Sequence, residues 1–125
     1  MGVLDFLSGL ANTIVGAIEN FFETIGKALK IIVVGIINFV KQVVNYFRGL
    51  KLNQHEDVPF IVDNSKLKNM IHNAPVKKVG IFEGVYNENE DCITEGRVIN
   101  ANDLDEKTED ILDAAKPDNP IVVLN

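Results

Sequence analysis

The 125-residue sequence predicts an α+β protein: a long N-terminal hydrophobic and amphipathic helix, straight or kinked, followed by a small acidic α+β domain. Three observations predict it. Proline is absent before Pro59, so nothing forces a helix to break in the first half. Apolar residues recur there at heptad spacing. Charge is also divided unevenly: of 18 acids and 12 bases, residues 1–50 hold three and four, leaving 15 and 8 for residues 51–125. The expected organisation is a hydrophobic self-association or membrane segment at 1–50, a linker at 51–57 and the acidic domain at 58–125.

In the first half, every seventh residue from Val15 reads Val15, Phe22, Leu29, Ile36, Val43, and the series three later reads Ile18, Ile25, Ile32, Phe39, Tyr46. This is an apolar a/d pattern sustained over five heptads. A polar stripe of Thr13, Asn20, Lys27, Lys41 and Arg48 lies opposite, interrupted by Val34. Between Ile31 and Val40, in "IIVVGIINFV", the apolar surface runs all the way round, so something apolar must enclose it. Gly26, Gly35 and the other glycines of this half each cost roughly 1 kcal/mol in a helix. They admit close backbone approach, or they break the segment into a hairpin at Gly26 or Gly35.

Four environments could enclose this segment, and the plainest is the C-terminal domain itself, against which the helix would pack as ordinary core, although that half is small for covering residues 31–37 on all sides. A helix spanning 25–44 has the right length for a bilayer, but its lysines bring the summed insertion energy to about zero. An in-plane helix over 3–30 lacks the usual basic face. Burial against other copies of the chain fits the heptads and the small flanking residues.

The second half reads strand, helix, strand, strand, helix, strand. Val58–Val62 is a short apolar run with Pro59 near its start, suited to an edge. Asp63 or Ser65 can cap a two-turn helix carrying Leu67, Met70 and Ile71. Val79–Tyr86 and Cys92–Ile99 flank the polar turn "NENED" as a hairpin. Asp103 can cap a helix with Leu104, Ile111, Leu112 and Ala115 on one face, ended by Pro117. Pro120–Asn125 closes the chain as a strand. This order suggests a ferredoxin-like βαββαβ arrangement, with a three-stranded sheet and one helix as the simpler option.

Motifs for chemistry are weak. His55, Glu56 and Asp57, with His72 at a distance, match no metal-ligand spacing and read as solvated linker. Asn87, Asn89 and Asp91 alternate like a calcium loop, but Cys92 stands at its glycine position and Val98 at its final acid. Cys92 has no histidine brought to it by sequence and reads as a small hydrophobe. Gly2 invites myristoylation, yet Phe6 stands where the motif wants Ser or Thr. A single cysteine excludes an intrachain disulfide, and the N-terminus lacks a signal-peptide pattern, which fits a cytoplasmic or membrane-associated protein. The acidic balance argues against nucleic acid.

The expected function is therefore that of a non-enzymatic structural protein. It self-assembles, as an oligomer or filament, through the N-terminal apolar helix and leaves the acidic domain outside. The candidate self-association or membrane residues are Val15, Ile18, Phe22, Ile25, Leu29, Ile32, Gly35, Ile36, Phe39, Val43 and Tyr46. Two alternatives remain: a membrane-anchored or membrane-permeabilising protein inserting 25–44, and a soluble adaptor binding a peptide along an edge strand such as Ile121–Leu124. No cofactor or metal is expected, and the expected partners are other copies of the chain or a lipid bilayer.

Overall fold

The computed structural model describes residues 3–4, 8–115 and 119–124. Gly2 and Phe6 at the myristoylation motif, Pro117 after the last helix and the terminal Asn125 lie outside them. Strand β1 is Val3–Leu4 and helix α1 is Ser8–Ile25. Gly26 stops that helix. Its φ of +52° is the left-handed conformation that ends a helix and that glycine adopts without steric penalty. A 3-10 turn at Gly26–Ala28 redirects the chain, and Lys30–Ile37 then runs as strand β2.

The long N-terminal helix is present, but its expected continuation through the apolar run is corrected to a strand. Ile31, Ile32, Val33 and Val34 are four consecutive β-branched residues, which lose rotamer freedom against a helical turn and suit a pleated surface. Asn38 ends the strand. Its side chain accepts from the Lys41 N–H at 3.0 Å, and its own N–H donates to Gln42 Oε1 at 2.6 Å. This caps a π-helical turn, Phe39–Val44, that continues as α2, Asn45–Gly49.

The second half holds β3 (Asp57–Asp63), α3 (Asn64–Met70), β4 (Gly80–Asn87), β5 (Cys92–Leu104), α4 (Glu106–Asp113) and β6 (Ile121–Leu124). The order of elements is as expected, and Asp63 does cap α3, accepting from the Ser65 N–H at 2.9 Å. β5 runs past Ile99 and through Asp103, so the cap of α4 falls instead to Asp105, which accepts from the Thr108 N–H at 2.9 Å.

One six-stranded mixed sheet results, in the order β1-β6-β3-β4-β5-β2, with β2 parallel to β5 and the other pairs antiparallel. Within 58–125 the order β6-β3-β4-β5 is that of a Greek key. The ferredoxin-like order is not formed. α3 does not cross over between parallel strands: it joins β3 and β4, which pair directly from Asp57↔Asn87 to Asp63↔Ile81.

Helices cover both faces. Ile14 and Ile18 of α1 and Leu67 of α3 pack with Phe60, Phe82 and Val98 on one face, where the Phe22 ring meets Phe82 edge-on at 5.1 Å. Phe39, Val43 and Phe47 join Ile111 and Leu112 of α4 over Ile61, Ile81, Ile99 and Val122 on the other. Residues on both sides of 51–57 thus build the same two clusters. Residues 25–44 form the end of α1, the 3-10 turn, β2 and the π-helical turn, not the expected insertable helix. No described helix is long and apolar enough to cross a membrane.

Candidate assembly surface

The sheet ends in two unlike edges. β1 is two residues long and pairs Val3↔Leu124 and Leu4↔Val123. β2 is eight residues long and pairs with β5 from Lys30↔Arg97 to Ile37↔Leu104. Its other side meets no strand among the described residues. Proteins usually blunt such edges with proline, charges or short length. The one charged residue of β2 is Lys30, at its start.

The strand is apolar on both faces, but only one is covered. Ile32 and Val34 pack against the cluster beneath α2 and α4, and Ile37 is fully buried in it. Ile31, Val33 and Ile36 are 48 %, 78 % and 62 % exposed, and Val40 just beyond is 57 % exposed. The inward residues thus fall at 32, 34 and 37, so the alternation slips by one around Gly35. The neighbouring strand slips with it: Ile99, Ala101 and Leu104 face the same cluster. Gly35 has no positive φ, and none of the described residues lies within 4 Å of the position a Cβ would occupy. The chain's own packing therefore does not call for glycine there, although glycine weakens a strand interior.

Beneath the N-terminal end of β2 lies a buried ion pair. Arg97, the register partner of Lys30, donates from Nε to Glu83 Oε1 at 2.6 Å and from Nη2 to the Gln42 carbonyl at 2.8 Å. Its guanidinium sits 3.9 Å from the Tyr46 ring centroid. Arg97 so ties the sheet to the π-helical turn and α2, which form the inner cover of β2. Glu83 is fully buried and its Oε2 has no hydrogen-bond partner among the described residues. Burial pushes its pKa up to about 7, opposed by the charge and hydrogen bond of Arg97. Burial, together with the charge of Glu83, pushes the Tyr46 hydroxyl up to about 12.

Asp105 secures the far end of β2. Its N–H donates to the Ile37 carbonyl at 2.9 Å. Its carboxylate accepts from the N–H groups of Phe39 and Thr108, each at 2.9 Å. Desolvation works against that charge, but the hydrogen bonds from Thr108 and Phe39 outweigh it and hold the carboxyl below its ordinary 3.8.

The structure distributes the eleven candidate residues over three environments. Ile18, Phe39 and Val43 are buried in the chain's own core. Val15, Phe22 and Leu29 pack partly on the α1 side and Ile32 and Tyr46 on the other, while Ile25 is half-buried. Gly35 and Ile36 lie exposed at the β2 edge. Ile31, Val33 and Val40 are exposed there too. Heptad spacing puts them off the seam, whereas reading 30–37 as a strand finds Ile31 and Val33 by alternation.

The strand Ile121–Leu124, expected as a docking edge, is not one. β6 lies between β1 and β3, and its residues are at most 3 % exposed. The other motifs are occupied by local structure. His55 N–H donates to Asn53 Oδ1 at 2.9 Å in a turn. Asn87 Oδ1 accepts from the Glu90 N–H at 2.8 Å, and Asp91 accepts from the Tyr86 hydroxyl. Cys92 is a part-exposed free thiol. Among the described residues no three His, Cys, Asp or Glu side chains group to hold a metal. No protein-family model, curated protein or solved structure matches the chain.

Proposed function

We propose that the protein is a non-enzymatic structural subunit that self-assembles into a homo-oligomer through its apolar N-terminal segment, with the acidic remainder of its surface outside. The surface that supports this reading is strand β2, not a helix as the heptads suggest. One observation carries it: an eight-residue strand with no neighbour on its outer side among the described residues presents Ile31, Val33 and Ile36 to solvent. Such an edge is a template for adding another strand. Monomeric proteins rarely leave contiguous aliphatic surface uncovered without an interaction to make.

Sedimentation velocity at micromolar concentration, without detergent, tests the reading. The wild-type chain is expected to sediment as an oligomer. Val33→Asp, at the most exposed position, is expected to sediment as a folded monomer with an unchanged circular dichroism spectrum. A wild-type monomer under these conditions overturns the proposal. Flotation with liposomes would favour the membrane reading instead.

A further inference from the structure

The two edges of the sheet differ so much that they constrain how copies can join. We infer, resting on the self-assembly reading above, that the assembly is a closed dimer. In it β2 pairs antiparallel with β2 of a second copy, and two six-stranded sheets become one continuous sheet.

Inequality of the edges argues for closure. An open head-to-tail array would pair β2 of one copy with β1 of the next, and the two residues of β1 cannot cover the eight of β2. Pairing β2 with itself matches equal lengths, and an isologous contact consumes both copies of the surface.

Charge selects the antiparallel sense. A parallel in-register pair would set Lys30 against Lys30, with Arg97 one strand behind each. Like charges placed opposite one another are destabilising. An antiparallel pair centred on Val33 sends Lys30 to the other end of the second copy's strand, opposite Ile36. From Ile31 to Val40 the chain carries no charge, so copies with a net charge of −6 meet at their least repulsive surface.

The same register accounts for Gly35. Centring on Val33 places Ile31 of one copy opposite Gly35 of the other, where a side chain faces a residue that has none. None of the described residues approaches that position, and glycine inside a strand commonly marks close approach by another backbone.

Light scattering against concentration, combined with cysteine cross-linking, tests this arrangement. Cross-linking uses a Cys92→Ser background, which removes the native thiol. The mass is expected to plateau at two chains. Growth beyond two overturns the closed dimer and leaves self-assembly standing, whereas a monomer at every concentration overturns both. Oxidation should link Cys92→Ser/Val33→Cys across the twofold. It should not link Cys92→Ser/Lys30→Cys, whose thiols lie about 20 Å apart along the antiparallel pair. Linkage of the second variant signals the parallel pair and overturns the inference. Failure of Cys92→Ser/Val33→Cys to link while the protein still scatters as two chains overturns the register centred on Val33.

Discussion

Strands β2 and β6 are made of the same kind of residue and meet opposite fates. "IVVL" of β6 sits between β1 and β3, under helices on both faces, and every side chain is buried. "KIIVVGII" of β2 has, among the described residues, one strand neighbour and one covered face, and Ile31, Val33 and Ile36 stand in solvent. Composition alone therefore does not separate a core strand from an exposed one. Position in the strand order does: it buries the aliphatic residues of β6 in the fold and leaves Ile31, Val33 and Ile36 of β2 in solvent, where the proposed association would use them.

Introducing a charge into each strand should separate those roles most widely. Val122→Asp buries a carboxylate among Ile61, Ile111 and Leu112 without a cation. It is expected to cost on the order of 4–5 kcal/mol, enough to unfold a domain of this size. Val33→Asp leaves its carboxylate in water and should change the stability of the monomer to urea by only about 0.5 kcal/mol. Equal losses in the two variants would erase the distinction between the strands.

A second difference lies underneath the strands. The side chains of β6 pack into apolar clusters, whereas the inner cover of β2 is tied down through Arg97, Glu83, Gln42 and Tyr46. Arg97→Leu removes the cation and leaves Glu83 buried, a change worth about 3–5 kcal/mol when the carboxylate is ionised. Glu83 also sets a pH dependence. Its folded pKa of about 7 lies above the ordinary 4.5, so the native state holds more protons than the unfolded state between those values. Stability due to this group is full below pH 4.5 and is lost as pH rises through 7, by about 3 kcal/mol in all. Glu83→Gln should flatten that slope in urea titrations between pH 4.5 and about 7. A slope that survives the substitution belongs to other groups.

Legibility in the sequence also differs between the two regions. In 58–125, caps and turns punctuate the chain. Asp63, the turn between Asn87 and Asp91, and the amphipathic run through Ile111 and Leu112 mark each element within a few residues. Topology is the hidden part there, because hydrophobic spacing does not say on which face of the sheet a helix lands. In 30–37 even the type of element is ambiguous, because an unbroken apolar run satisfies heptad and alternating spacing alike. The deciding signals are local: Gly26 as a helix stop and four β-branched residues in a row. Once the run is a strand, the heptad seam dissolves. Ile18, Phe39 and Val43 go to the core, and only Gly35 and Ile36 of the candidate set remain exposed at the edge.

Gly35 offers the smallest effect and the finest test, because its two roles predict opposite signs. A Cβ there meets none of the described residues within 4 Å and the backbone is not left-handed. Gly35→Ala should therefore stabilise the isolated chain by about 0.5–1 kcal/mol, by restricting the unfolded state and favouring the extended one. The added methyl group would meet Ile31 of a second copy, so the same variant should dissociate more readily. Denaturation of the monomeric Val33→Asp background, with and without Gly35→Ala, reads the first sign. Dilution of the Gly35→Ala dimer reads the second. A variant more stable in both measurements would mean that no second backbone approaches β2 at that residue, and the register centred on Val33 would fall with it.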